Sequence, residues 1–285
     1  MPTYWYVLLA LALVAAGAGL AVWQLRRRRK ARKPLVRVPP KLTYPVVLAH
    51  GILGFDELKV GPLRNAYFRG VEPRLTKLGA KVYAFKVRSS ASVAARAEDL
   101  RRAVEALDAE KVNIIAHSMG GLDARFAAAR LGLGNKVASI ITIGTPHRGT
   151  PLADLGTNFG VLTPAARKLL EAMRLDVEGF FDLTSARMLA FNEDVKDVKG
   201  VWYGSWTAHA SGKLRGMNPL LIPTWKVIYE RAGQNDGLVP AESQRWGEVC
   251  GVIEADHWAQ IGWSRSFDAP AFYEEIVRDL IRRGL

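Results

Sequence analysis

From residue 44 onward the chain alternates short apolar runs with stretches whose apolar residues recur at helical spacing. Residues 45–49 (PVVLA) form a continuous apolar run of buried-strand type, 67–78 predict a helix, and 81–87 (KVYAFKV) a second strand. Val93, Ala97, Leu100, Val104 and Leu107 then fall at intervals of four and three, an amphipathic helix. Strands follow over 112–116 and 137–143, with a helix over 120–131 between them, and two further strands are expected at 198–206 and 225–231. Phe272, Ile276 and Leu280, four apart, mark a closing helix over 268–283. Strands alternating with helices predict a mainly parallel sheet covered by helices on both faces, with ligands bound beyond the carboxyl ends of its strands.

The rhythm breaks over 150–224, which is expected to be a helical cap or lid inserted into a single domain spanning 44–285. Helices are predicted there over 163–174 and near 184–192. Phe159, Leu162, Leu169, Leu170, Met173, Phe180 and Phe181 either line an acyl groove or pack the cap's own core.

Residues 4–23 carry no charge and are long enough to cross a bilayer as a helix, with Tyr4, Trp5, Tyr6 and Trp23 at the ends where interfacial aromatics sit. A membrane anchor is therefore expected over 1–25, followed by a basic, proline-containing linker over 26–43. The net charge of +13 suggests nucleic acid until it is located. Eight of the Lys and Arg residues, with no acid, lie within residues 26–37, so the body is only mildly basic and no nucleic-acid partner is expected. Cations just after the span place the body on the cytoplasmic side, with a periplasmic or extracellular body as the alternative. Cys250 is the sole cysteine, which rules out a disulfide within the chain.

Three strand ends carry candidate chemistry. Ala116-His117-Ser118-Met119-Gly120-Gly121 joins a strand to a helix, and the residues two before and two after the serine are tiny. That is what a sharp turn presenting a nucleophile requires, so Ser118 is the candidate nucleophile. His50-Gly51-Ile52 follows the first strand. Acyl transfer needs two preorganised N–H donors for its oxyanion, and the backbone amides of Ile52 and Met119 are the candidates. His50 itself is expected to be structural. Of the five histidines, His257 alone lies near the C-terminus, where the base is expected after the acid. Asp236, in Asn235-Asp236-Gly237-Leu238-Val239-Pro240 after the expected strand 225–231, is the candidate acid. Asp256 is its rival, but chain neighbours seldom point their side chains at each other.

These segments, together with Tyr44–Gly51 ahead of the first turn and Ile143-Gly144-Thr145-Pro146-His147-Arg148-Gly149, resemble the α/β-hydrolase fold, specifically the bacterial true lipases of the Pseudomonas and Burkholderia type. The leading Ala116 of the elbow is more similar to the Bacillus lipases. The resemblance covers most of residues 44–265. It implies a serine ester hydrolase, a lipase or carboxylesterase acting on lipid or other acyl esters through an acyl-enzyme at Ser118. It also implies calcium bound through an aspartate two residues after the base. That position holds Ala259, so no metal or other cofactor is expected. Phospholipase, thioesterase, polyester depolymerase and acyltransferase use the same machinery. A non-catalytic membrane scaffold is the alternative of another class, although an intact Ser, Asp and His set argues against it. The oligomeric state is not legible.

Overall fold

A computed structural model describes residues 41–52, 67–89, 91–158, 178–211, 216–264 and 266–285. Six parallel strands lie in the order β2-β1-β3-β4-β5-β6. They are β1 (Val46–Ala49), β2 (Val82–Phe85), β3 (Val112–His117), β4 (Val137–Ile143), β5 (Trp202–His209) and β6 (Glu248–Glu254). The described helices are α1 (Val71–Lys77), α2 (Val93–Glu105), α3 (Gly120–Arg130), α4 (Pro151–Asn158), α5 (Glu178–Phe181), α6 (Ser185–Asp194), α7 (Ile222–Ala232) and α8 (Ala269–Arg283).

Side chains alternate across a strand, and the central strands use both faces. Val46 and Leu48 of β1, with Ile115, Ile141 and Ile143, pack against Val71 and Leu75 of α1 and Phe272, Tyr273, Ile276 and Leu280 of α8. Val47 and Ala49, with Ile114, Ala116 and Ile140, face Ala97, Leu100 and Val104 of α2 and Ala124, Ala127 and Ala128 of α3. Burial on both faces explains why β1, β3 and β4 are rich in apolar residues, with the buried Asn113 and Ser139 of β3 and β4 satisfied by a hydrogen bond from the Ser139 hydroxyl to Asn113 Oδ1 at 2.7 Å. Burying each Leu or Ile contributes roughly 1.5–3 kcal/mol, so these two layers dominate the stabilisation.

Several expectations change. The strand expected at 225–231 is helix α7. Pro223 sits in its first turn, Trp225 and Tyr229 stack one turn apart with ring centroids at 5.0 Å, and Gly233 ends it at φ 72°. The run Val227-Ile228 reads as strand by residue type, but only Ile228 is buried, as on a helix laid on the surface. The strand expected at 198–206 is shifted to Trp202–His209, so this part of the stretch 150–224 is sheet. Helix α6 matches the one expected near 184–192. The helix expected at 163–174 and Phe159, Leu162, Leu169, Leu170 and Met173 lie outside the described residues.

The expected membrane localisation, with a cytoplasmic body on a transmembrane helix, is corrected. Among the described residues no helix is long and apolar enough to cross a membrane. Helices α1, α2, α3 and α8 turn apolar residues to the two faces of the sheet, and residues 1–25 and the linker up to residue 40 lie outside the described residues.

Candidate active site

Ser118 follows β3 and precedes α3. Its φ is 55°, and among the described residues it is the one non-glycine with positive φ. A left-handed backbone costs an ordinary residue roughly 1–2 kcal/mol, so the surroundings must hold it. They do so by hydrogen bonds on both sides of the peptide. Ser118 N–H donates to the Ile143 carbonyl at 2.9 Å, and the Ser118 carbonyl accepts from the Thr145 hydroxyl at 2.7 Å and the Gly121 amide at 3.1 Å. The small-residue requirement is visible at Gly120, where an added Cβ would lie 2.5 Å from the Ala49 carbonyl oxygen and 2.7 Å from that of His50.

The loop after β1, which carries the candidate donor Ile52, comes up beside the serine. A Cβ on Gly51 would sit 2.6 Å from Ser118 Cβ, so only glycine lets this backbone approach so closely. Ile52 follows it, and its side chain packs with Met119, Leu122, Val93, Met188 and Phe180. Phe180 packs against this same cluster.

Beyond β6, His257 Nδ1 and Asp236 Oδ2 are 2.8 Å apart, both residues buried. Asp236 lies in a tight loop after α7 rather than directly after a strand. The Ala210 amide at the end of β5 donates to the Asn235 carbonyl at 2.8 Å, and Asn235 bridges to Pro240. The other carboxylate oxygen, Oδ1, accepts from the Leu238 and Val239 amides at 3.0 and 2.8 Å, and Gln260 Nε2 donates to Oδ2 at 2.8 Å. Four donors on a buried carboxylate fix its orientation. The His257 amide donates to the Asp236 carbonyl at 2.8 Å, which fixes the two loops to each other.

Asp256 is used elsewhere. Its Oδ1 accepts from the amides of Trp258 and Ala259, and its Oδ2 from that of Asn218. Ala259 is fully buried and carries no donor oxygen on its side chain. These residues do not fit a calcium ion at the position the resemblance implies.

The other histidines do separate work. His50 Nε2 accepts from the Val87 amide at 3.2 Å, which ties the end of β1 to β2. His147 is sealed between Arg125, whose guanidinium donates to Nδ1 at 3.2 Å, and Thr142 at 3.1 Å from Nε2. Burial, then the repulsion of Arg125 and Arg148, push its pKa well below the ordinary value. His117 is buried with its ring 4.5 Å from that of His257, and burial, then the repulsion of His257, push it well below as well.

Serine, acid and base thus stand at the same, carboxyl-terminal end of the sheet. The structure joins Asp236 to His257. No hydrogen bond joins the Ser118 hydroxyl to His257 among the described residues, and such bonds commonly tighten only when substrate is bound.

Sequence reasoning missed the buried ion pair of Arg96 with Asp123, 2.8 Å apart, which links α2 to the first turn of α3. Arg96 also donates to the His50 carbonyl at 2.7 Å and to those of Arg88 and Ser89, so it ties the loop after β1 to the segment before α2. The signal was available: Arg96 lies beside Ala97 on the apolar face of α2, and Asp123 among small and apolar residues.

A family model described as the α/β hydrolase fold matches residues 44–167. Triacylglycerol lipase 2 of Saccharomyces cerevisiae is 30% identical over 315 residues, spanning 86% of this chain and 93% of the yeast protein. The chain belongs to the α/β-hydrolase family, among its lipases. Triacylglycerol lipase of Pseudomonas fragi is 34% identical over 249 residues, covering 72% of this chain and 83% of that one. Among solved structures, the metagenomic carboxyl esterase MGS0156 superposes with a TM-score of 0.71 at 22% identity, over 85% of this chain and 77% of that one, a likeness of fold.

Proposed function

We propose that this carboxylic ester hydrolase cleaves acyl esters of lipids with Ser118 as nucleophile, His257 as base and Asp236 as the orienting acid. The observation that carries the reading is the left-handed backbone of Ser118, held on both sides between β3 and α3. Strain of this kind persists only where the surroundings over-determine it.

In the first half-reaction Ser118 Oγ attacks the ester carbonyl carbon while His257 Nε2 takes the hydroxyl proton. The Asp236 contact at Nδ1 leaves Nε2 free to do so and stabilises the imidazolium that forms. The carbonyl oxygen becomes an oxyanion, for which the Ile52 and Met119 amides are the proposed donors. The C–O bond to the alcohol then breaks, and His257 delivers its proton to the departing oxygen. Water, deprotonated by His257, attacks the acyl-enzyme, the acyl bond to Ser118 Oγ breaks as His257 returns the proton to Oγ, and the acid is released. The lipid substrate class rests on the relatives named triacylglycerol lipases. No calcium ion has a part in the reading, because the donors at Ala259 and Asp256 do not fit one.

The test is hydrolysis of p-nitrophenyl esters from C2 to C16 by the chain and by its Ser118→Ala variant. Turnover that rises with chain length and disappears in the variant supports a lipase. A short-chain optimum makes it a carboxylesterase. No ester turnover, with no fluorophosphonate labelling of Ser118, overturns the reading.

A further inference from the structure

Beneath the candidate triad a line of polar groups runs from the oxyanion loop to the acid, and the reaction as written uses none of them. The Gly51 amide donates to the Tyr67 hydroxyl at 3.0 Å. Tyr67 Oη is 2.7 Å from His117 Nδ1. Having accepted from Gly51, the phenol has one hydrogen to give, and its partner is Nδ1, so the neutral ring carries its proton on Nε2. His117 Nε2 and Gln260 Oε1 are both buried and not within hydrogen-bonding distance of each other, and the His257 backbone carbonyl and then the Gln260 side chain act on the His117 ring. The far end of Gln260 donates from Nε2 to Asp236 Oδ2, the oxygen that also holds His257.

Gln260 lies in the short turn after His257, and Gly144, at φ 60°, makes room for it. A Cβ there would fall 2.3 Å from Gln260 Oε1 and 3.2 Å from Asp236 Oδ2. The backbone of the Ile143-Gly144-Thr145 turn is thereby committed to admitting this amide. Tyr67 is held in turn by the Trp263 indole, which donates to its carbonyl at 2.9 Å.

We propose that Tyr67, His117 and Gln260 are positioning residues that tie the oxyanion loop to the Asp236–His257 pair and set the basicity of that pair. The proposal rests on the triad reading above. Gln260 neutralises part of the Asp236 charge by donating to it, which lowers the hold of the carboxylate on the imidazolium. Removing that donor makes His257 a stronger base. Among the described residues, the titratable side chains seen against His257 are Asp236 and His117. Asp256, next in the chain, is turned to the amides of residues 218, 258 and 259, and Arg96 acts on Tyr67 from beyond. His117 is kept neutral by burial, so it adds no cation against the one that forms on His257.

The experiment is the pH profile of kcat/KM on p-nitrophenyl butyrate for the full chain, Gln260→Met, Gln260→Leu and Tyr67→Phe, with Ser118→Ala as control. Gln260→Met keeps the volume and removes the amide, and its acid limb is expected to move up by about 0.5–1 pH unit with KM within about twofold. Gln260→Leu removes the same donor with another apolar side chain, is expected to move the limb in the same direction, and decides the matter should the Met variant not fold. Tyr67→Phe removes one hydroxyl from the oxyanion loop and is expected to lower kcat about tenfold to a hundredfold with KM nearly unchanged. A side chain that merely fills space would alter melting temperature without moving the acid limb. Unmoved limbs in folded Gln260 variants, together with full kcat in Tyr67→Phe, overturn the proposal. A full chain without Ser118-dependent turnover overturns the triad reading instead, so the two failures are distinct.

Discussion

Acidification should destabilise the fold through His147, and the size of the effect follows from its surroundings. The ring is completely buried, Nδ1 accepts from the permanently charged Arg125, and Nε2 is committed to Thr142. A proton added at Nδ1 would face the guanidinium, so the folded state excludes it, whereas the unfolded chain takes it up near pH 6.5. The folded pKa is depressed, so the contribution to stability is present above pH 6.5 and is lost as pH falls towards the folded value. Within that window the loss is about 1.4 kcal/mol per pH unit, or about 2 kcal/mol between pH 6.5 and 5. His117, depressed for the same reason, should add a similar amount, large beside a total of roughly 5–15 kcal/mol. Asp123 works the other way. Burial pushes its carboxyl up to about 6, against the pull of Arg96, so the folded state takes a proton there before the unfolded chain does and regains part of the loss below that pH. The contribution of His147 is isolated by difference. Urea unfolding of the chain and of His147→Gln, measured from pH 7.5 to 5, should show the parent losing about 2 kcal/mol more than the variant, whatever their stabilities at pH 7.5. Parallel pH dependences for the two would refute the reasoning.

Asp236→Asn should leave the melting temperature within a few degrees and reduce kcat by about a thousandfold or more, because an amide cannot hold the imidazole in the required tautomer; single-turnover ester cleavage measures it. Gly120→Ala drives a methyl into the carbonyls of Ala49 and His50, so it should cost about 1–3 kcal/mol in urea unfolding and abolish fluorophosphonate labelling of Ser118. Arg96→Met leaves Asp123 buried without its partner and should cost about 3–5 kcal/mol, whereas the double variant Arg96→Met with Asp123→Leu should recover most of that in the same assay.

Local sequence determined whatever depends on residue type at short range. The buried strands 46–49, 112–117 and 137–143 are legible because both of their faces are apolar, and α2 and α8 because their stripes recur at helical spacing. The elbow is legible because a turn this tight admits only small residues beside Ser118. Asp236 and His257 could be named from their order along the chain. Residue type failed at 225–231, where Val227-Ile228 favours strand by propensity but lies on a helix started by Pro223 and ended by Gly233. It also could not show that Asp236 reaches His257 from a loop pinned to the end of β5, since Ala210 and Asn235 meet only after the sheet forms. The Arg96–Asp123 pair and the line from Tyr67 to Gln260 belong to the tertiary structure for the same reason. Their members come from separate segments, and a buried polar group is recognisable as functional only once its partners are in place.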